Sequence, residues 1–127
     1  MNMATELDIG PLTWVKGEID LALERAGEAL GQFAARQEAT QIGQARNHLR
    51  QARGALTIVG LEGVTQFAEA LEALLAGFED GSIAATPQAA EAGRKGFAAI
   101  RLYLDDLVDG RPDQALKLFP AYRDIAV

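Results

Sequence analysis

The stretch ARNHLRQARGALTIVGLEGVTQFAEALEALLAGF, residues 45–78, sets the fold. Its first half places Ala45, Leu49, Ala52, Leu56 and Val59 at intervals of three and four, the period of a helix with one apolar seam. Gly60-Leu61-Glu62-Gly63 then breaks the period with a short glycine-bounded turn. Val64, Phe67, Ala68, Leu71, Leu74, Leu75 and Phe78 resume it. Two amphipathic helices joined by so short a turn are expected to pack as antiparallel neighbours. The spacing predicts one helix from about Thr40 to Val59 and a following one that Asp80-Gly81 ends.

The same period continues on both sides. Leu12, Val15, Ile19, Leu23, Ala26, Leu30 and Phe33 mark an earlier helix from Pro11 to Arg36. Lys16, Glu18, Asp20, Glu24, Arg25 and Glu28 cover its opposite face, and Trp14 is expected at the core edge or as a lid over the bundle end. Gly17, Gly27 and Gly31 lower its intrinsic propensity, so packing must hold it. On the other side, Thr86-Pro87 is a start signal: a capping hydroxyl, then proline at the first helical position. A helix carrying Ala90, Gly93, Phe97, Ile100, Leu104 and Leu107 follows, and Gly110 stops it. Pro112 opens a short last helix with Leu116 and Phe119, which Pro120 interrupts or kinks before Tyr122 and Ile125. The chain thus reads as one all-α domain over residues 1–127. It is expected to be an antiparallel up-down-up-down four-helix bundle, with a flexible N-terminus (residues 1–10) and a short helical extension (residues 112–127).

Composition agrees and narrows the chemistry. Apolar residues make up 49% of the 127 residues and aromatics only 6%, so aliphatic side chains and alanine must pack the core. The net charge of -6 opposes nonspecific nucleic-acid binding. The absence of cysteine excludes disulfides and thiolate zinc sites, and it agrees with a cytoplasmic setting. No signal-peptide pattern opens the sequence, and no apolar run reaches the length of a membrane span. There is one histidine, His48, and one serine, Ser82, in the loop-like Asp80-Gly81-Ser82. A catalytic triad or a metal centre would lack partners, so neither metal nor cofactor is expected. Glu69, Glu72, Glu79 and Asp80 read as a solvated face, since no base or apolar pocket accompanies them.

One segment departs from generic bundle sequence: Arg50-Gln51-Ala52-Arg53-Gly54-Ala55-Leu56-Thr57-Ile58-Val59-Gly60-Leu61, with Leu71-Glu72 downstream. It resembles the phosphorylation helix of histidine-phosphotransfer (HPt) domains. Arg53 matches that family's basic position, Gly54 its glycine, Gly60-Leu61 its turn and Leu71-Glu72 its Leu-Glu pair. The acceptor histidine falls on Arg50. In such a domain an imidazole nitrogen attacks the acyl phosphate of a partner's aspartate, so it must face solvent where a receiver domain can reach it. Glycine one turn later clears the approach, and a nearby cation steadies the phosphoryl oxygens. A guanidinium stays protonated and has no free lone pair, so Arg50 cannot accept phosphate.

A wider resemblance links the chain to the N-terminal region of the large chemotaxis-type hybrid histidine kinases of the type IV pilus (twitching-motility) pathway. Leu12-Thr13-Trp14-Val15-Lys16-Gly17-Glu18-Ile19-Asp20, Gly54-Ala55-Leu56 with Val59-Gly60-Leu61-Glu62-Gly63, and Leu118-Phe119-Pro120-Ala121-Tyr122-Arg123 carry it. It spans about Leu12 to Arg123 and implies a module of, or related to, that region. The resemblance implies a non-catalytic pseudo-HPt module that docks a response-regulator receiver domain or another protein of the pathway. The expected docking residues are Arg46, Asn47, Arg50, Arg53 and Gly54. Alternatively, the three arginines form a solvated face with intrahelical pairs. His48 could be a displaced phosphoacceptor, but two positions turn it about 160° from Arg50, which favours a boundary histidine at the seam. A plain bundle mediating self-association is the remaining reading.

Overall fold

Helix formation follows the apolar period. The computed structural model describes residues 9–110 together with Pro120, Arg123 and Ile125. It contains α1 (Ile9–Arg36), α2 (Ala39–Ile58), α3 (Glu62–Asp80) and α4 (Pro87–Val108), and no strand among the described residues. The four helices form a bundle in which α1 lies against α2 and α4, and α3 lies against α2 and, less extensively, α4. Leu12, Ile19, Leu23 and Leu30 of α1, Leu49 and Leu56 of α2, Phe67, Leu71 and Leu75 of α3, and Ile100 and Leu104 of α4 are buried in one core. Pro112, Leu116, Phe119 and Tyr122 of the expected C-terminal helix lie outside the described residues. Pro120, Arg123 and Ile125 are helical, and Ile125 is buried with the core.

The joints explain the helix ends. After α2, Gly60 takes φ +80°, a left-handed conformation that only glycine adopts without cost. Leu61 N–H then donates to Leu56 C=O at 3.2 Å, and Gly60 N–H to Thr57 C=O at 3.1 Å. These two bonds satisfy carbonyls left open at the end of α2. The paired apolar residues of this motif, Leu56 and Leu61, are both buried. Before α4, Thr86 Oγ1 accepts from Ala89 N–H at 3.1 Å and Pro87 opens the helix, as its sequence predicts. The turn from α1 to α2 has no glycine. Gln37 takes φ +57° there, and its N–H donates to Phe33 C=O at 2.6 Å.

Ion pairs lace α1 to α4. Lys16 Nζ lies 2.6 Å from Asp20 and 2.5 Å from Asp105, and Arg101 lies 3.8 Å from Asp20. Hydrogen bonds to Asp105 and then Asp20 hold the Lys16 ammonium above its ordinary pKa of 10.5. After α3, Ser82 N–H donates to Asp80 Oδ1 at 2.8 Å. Hydrogen bonding from Ser82 lowers the Asp80 pKa.

Several side chains depart from the sequence reading. Trp14 is neither core edge nor lid: it is 88% exposed. At about 100° per residue it stands roughly 160° from buried Leu12, so helical phase overrides its apolar character. Leu61, read as part of a turn, is buried. Gly96 and Tyr103, unassigned by the seam pattern, are buried as well.

Candidate functional site

The outer face of α2 carries Asn47, Arg50 and Gly54, all exposed, opposite the buried seam of Ile42, Ala45, Leu49, Ala52 and Leu56. Helical phase alone produces this separation. Arg46 and Arg53 flank the stripe on the side of α3 and are half-buried. The Arg46 guanidinium pairs with Glu79, and Arg53 pairs with Glu72 and stands 4.0 Å from Glu69. The acidic residues of α3 therefore do more than face solvent, because three of them hold arginines of the neighbouring helix. No side chain among the described residues forms an ion pair with Arg50. The cationic strip read along the sequence is thus electrostatically uneven: two of its arginines are matched within the chain, and Arg50 has no ion pair among the described residues.

Gly54 stands one turn after Arg50. Beyond its chain neighbours and its own helix backbone, a Cβ built there would meet no heavy atom of the described residues within 4 Å. Neither packing nor a left-handed φ within this chain requires glycine at this position, although glycine costs a helix interior about 1 kcal/mol relative to alanine. One further turn along the ridge, Ile58 is 85% exposed. The sequence reading did not single it out. Its signal was present, since Ile58 is out of phase with Leu49, Ala52 and Leu56. Arg50, Gly54 and Ile58 together make a cation, a clearing and an apolar knob in line over about 12 Å.

His48 lies on the other flank of the seam, on the α1 side. It is half-buried, and its Nδ1 is buried with no hydrogen-bond partner among the described residues. It does not share the stripe of Arg50 and Gly54. Among the described residues no group of three or more histidine, aspartate or glutamate side chains could hold a metal ion. No described helix is long and apolar enough to cross a membrane. No protein-family model, curated protein or solved structure matches the chain.

Proposed function

We propose that this chain is a non-catalytic pseudo-HPt module of a chemotaxis-like two-component system for type IV pili, acting by docking a receiver domain in the cytoplasm. The bundle would run up-down-up-down. Cross-helix pairs support that order: Arg46 meets Glu79 while Arg53 meets Glu72, so residue numbers rise on α2 as they fall on α3. Lys16–Asp105 and Asp20–Arg101 follow the same rule between α1 and α4.

The single observation that carries the docking reading is open, unrequired Gly54 one turn from exposed, unpaired Arg50. In an acceptor helix that clearing admits a receiver to the nucleophile. With arginine in place of the nucleophile, the clearing still admits the receiver, and the guanidinium meets its acidic pocket. Chemistry through Arg50 is excluded because a guanidinium cannot act as a nucleophile at neutral pH.

The test is to incubate the chain with a phosphorylated receiver domain of this pathway. The expected outcome is a measurable complex and no acid-labile phosphate on the chain. Arg50→His should gain phosphate if the loss is one residue deep. Label on His48 of the unmodified chain would sink the proposal and establish a working phosphotransferase instead.

A further inference from the structure

In charge, α2 is unlike the rest of the chain. The chain has 12 lysines and arginines against 18 aspartates and glutamates, yet α2 carries Arg46, Arg50 and Arg53 and no acidic residue. Arg50 therefore has no carboxylate to pair with inside its own helix. Its neighbours three and four residues away are Arg46, Asn47, Arg53 and Gly54. Two of these are cations, and like charges at that spacing repel. The carboxylates of α3 serve only the flanking arginines: Glu79 holds Arg46, and Glu72 holds Arg53. Arg50 and Asn47 are exposed one turn apart, so a guanidinium fork and an amide stand side by side toward solvent.

We infer that this arrangement reads the phosphorylation state of the partner: the Arg50 guanidinium binds the phosphoryl oxygens of an aspartyl phosphate, so a phosphorylated receiver docks more tightly than an unphosphorylated one. The inference rests on the docking reading above and adds to it the state of the partner. A guanidinium presents parallel N–H donors that match two oxygens of one phosphoryl group. That group projects beyond the carboxylate on which it is built and carries more negative charge. Gly54 lets the partner's surface close on the helix one turn from Arg50, which brings those oxygens to the fork. Asn47 supplies a further N–H donor on the other side of Arg50. No bond forms or breaks. The guanidinium has no free lone pair to attack phosphorus, so the acyl phosphate stays on the receiver. The net charge of -6 offers no general attraction to an anionic partner, so the preference comes from direct contact at Arg50.

The experiment is calorimetric titration of a receiver domain of the pathway into the full chain, with magnesium alone and with magnesium plus beryllofluoride as the phosphoryl mimic. The expected result is binding about tenfold or more tighter in beryllofluoride. Arg50→Ala should bring the two affinities within about twofold of each other. Arg50→Lys keeps the charge but loses the fork, and should retain only part of the difference. Lys95→Ala removes the same charge from an exposed position on α4, a helix that does not pack against α2, and should leave the difference intact. Equal affinity for the two forms of the receiver would overturn the inference and leave the docking reading standing. A preference that survives Arg50→Ala, or one that Lys95→Ala removes equally, would also overturn it. Absence of binding in both conditions would overturn the docking reading and this inference with it.

Discussion

Gly54 of α2 and Gly96 of α4 are both glycines in helix interiors, and each weakens its helix by about 1 kcal/mol relative to alanine. Their surroundings differ completely. At Gly96 a Cβ would stand 2.7 Å from Leu71 Cδ2, and at nearby Gly93 it would stand 2.9 Å from Leu30 Cδ2. These glycines let α4 settle onto the core, so the fold itself accounts for them. At Gly54 a Cβ meets nothing within 4 Å. No packing contact among the described residues calls for glycine there, and the docking reading proposed above supplies a use for it. A glycine required by its own molecule marks packing. Under the docking reading, a glycine free of such contacts beside exposed Arg50 keeps an approach path open.

The largest effect that would break this contrast is at the seam. Gly96→Val should destabilise the bundle by about 3 kcal/mol, because a Cβ and two methyl groups must enter space that Leu71 already fills. Urea denaturation measures it, and a loss below about 1 kcal/mol would mean the seam is looser than described. Gly54→Ala should move the other way and stabilise the chain by about 0.5–1 kcal/mol through helix propensity alone. If Gly54→Ala destabilised instead, glycine at 54 would be serving the fold and the contrast would collapse.

Charge sharpens the same comparison at smaller magnitude. Arg53→Ala should cost up to about 1 kcal/mol, since it leaves half-buried Glu72 without its pair. Arg50→Ala should change stability by less than about 0.5 kcal/mol, as befits an exposed residue without an ion pair. Thermal melts of the two variants side by side would show whether only one of these arginines serves the fold. The smallest effect belongs to the α1–α4 ion pairs. The folded-state pKa of Lys16 lies above its ordinary 10.5. Its contribution is therefore fully present below that value and lost as pH rises through the folded pKa. Stability followed from pH 8 upward should be independent of pH near neutrality, with Lys16→Met less stable there than the unmodified chain. The variant and the unmodified chain should converge in the strongly alkaline range.

Much of this was legible in the sequence because helical phase is local. Leu49, Ala52 and Leu56 fix which side of α2 is inward, and that choice also exposes Arg50 and Gly54. Thr86-Pro87 and Gly60 announce helix ends because cap chemistry needs only adjacent residues. What escaped depends on groups far apart in the chain. Nothing local tells that Arg46 meets Glu79 or Arg53 meets Glu72, so the arginine strip read as uniformly available. Nothing local tells that Gly96 lies under Leu71. Trp14 departs for a different reason: its hydrophobicity favours the core, but its helical phase points outward. At Gln37 the chain turns with a left-handed residue that is not glycine, so the usual punctuation was missing.

The central claim is that α2 offers a docking face cleared at Gly54. The most direct test is calorimetric titration of a receiver domain of the pathway into the unmodified chain and into Gly54→Leu. The leucine enters open space and keeps the helix, so folding is preserved while the approach is blocked. The account predicts saturable binding to the unmodified chain and at least a tenfold loss with Gly54→Leu at thermal stability equal to or above that of the unmodified chain. Equal binding by both chains, or no binding by either, would contradict it.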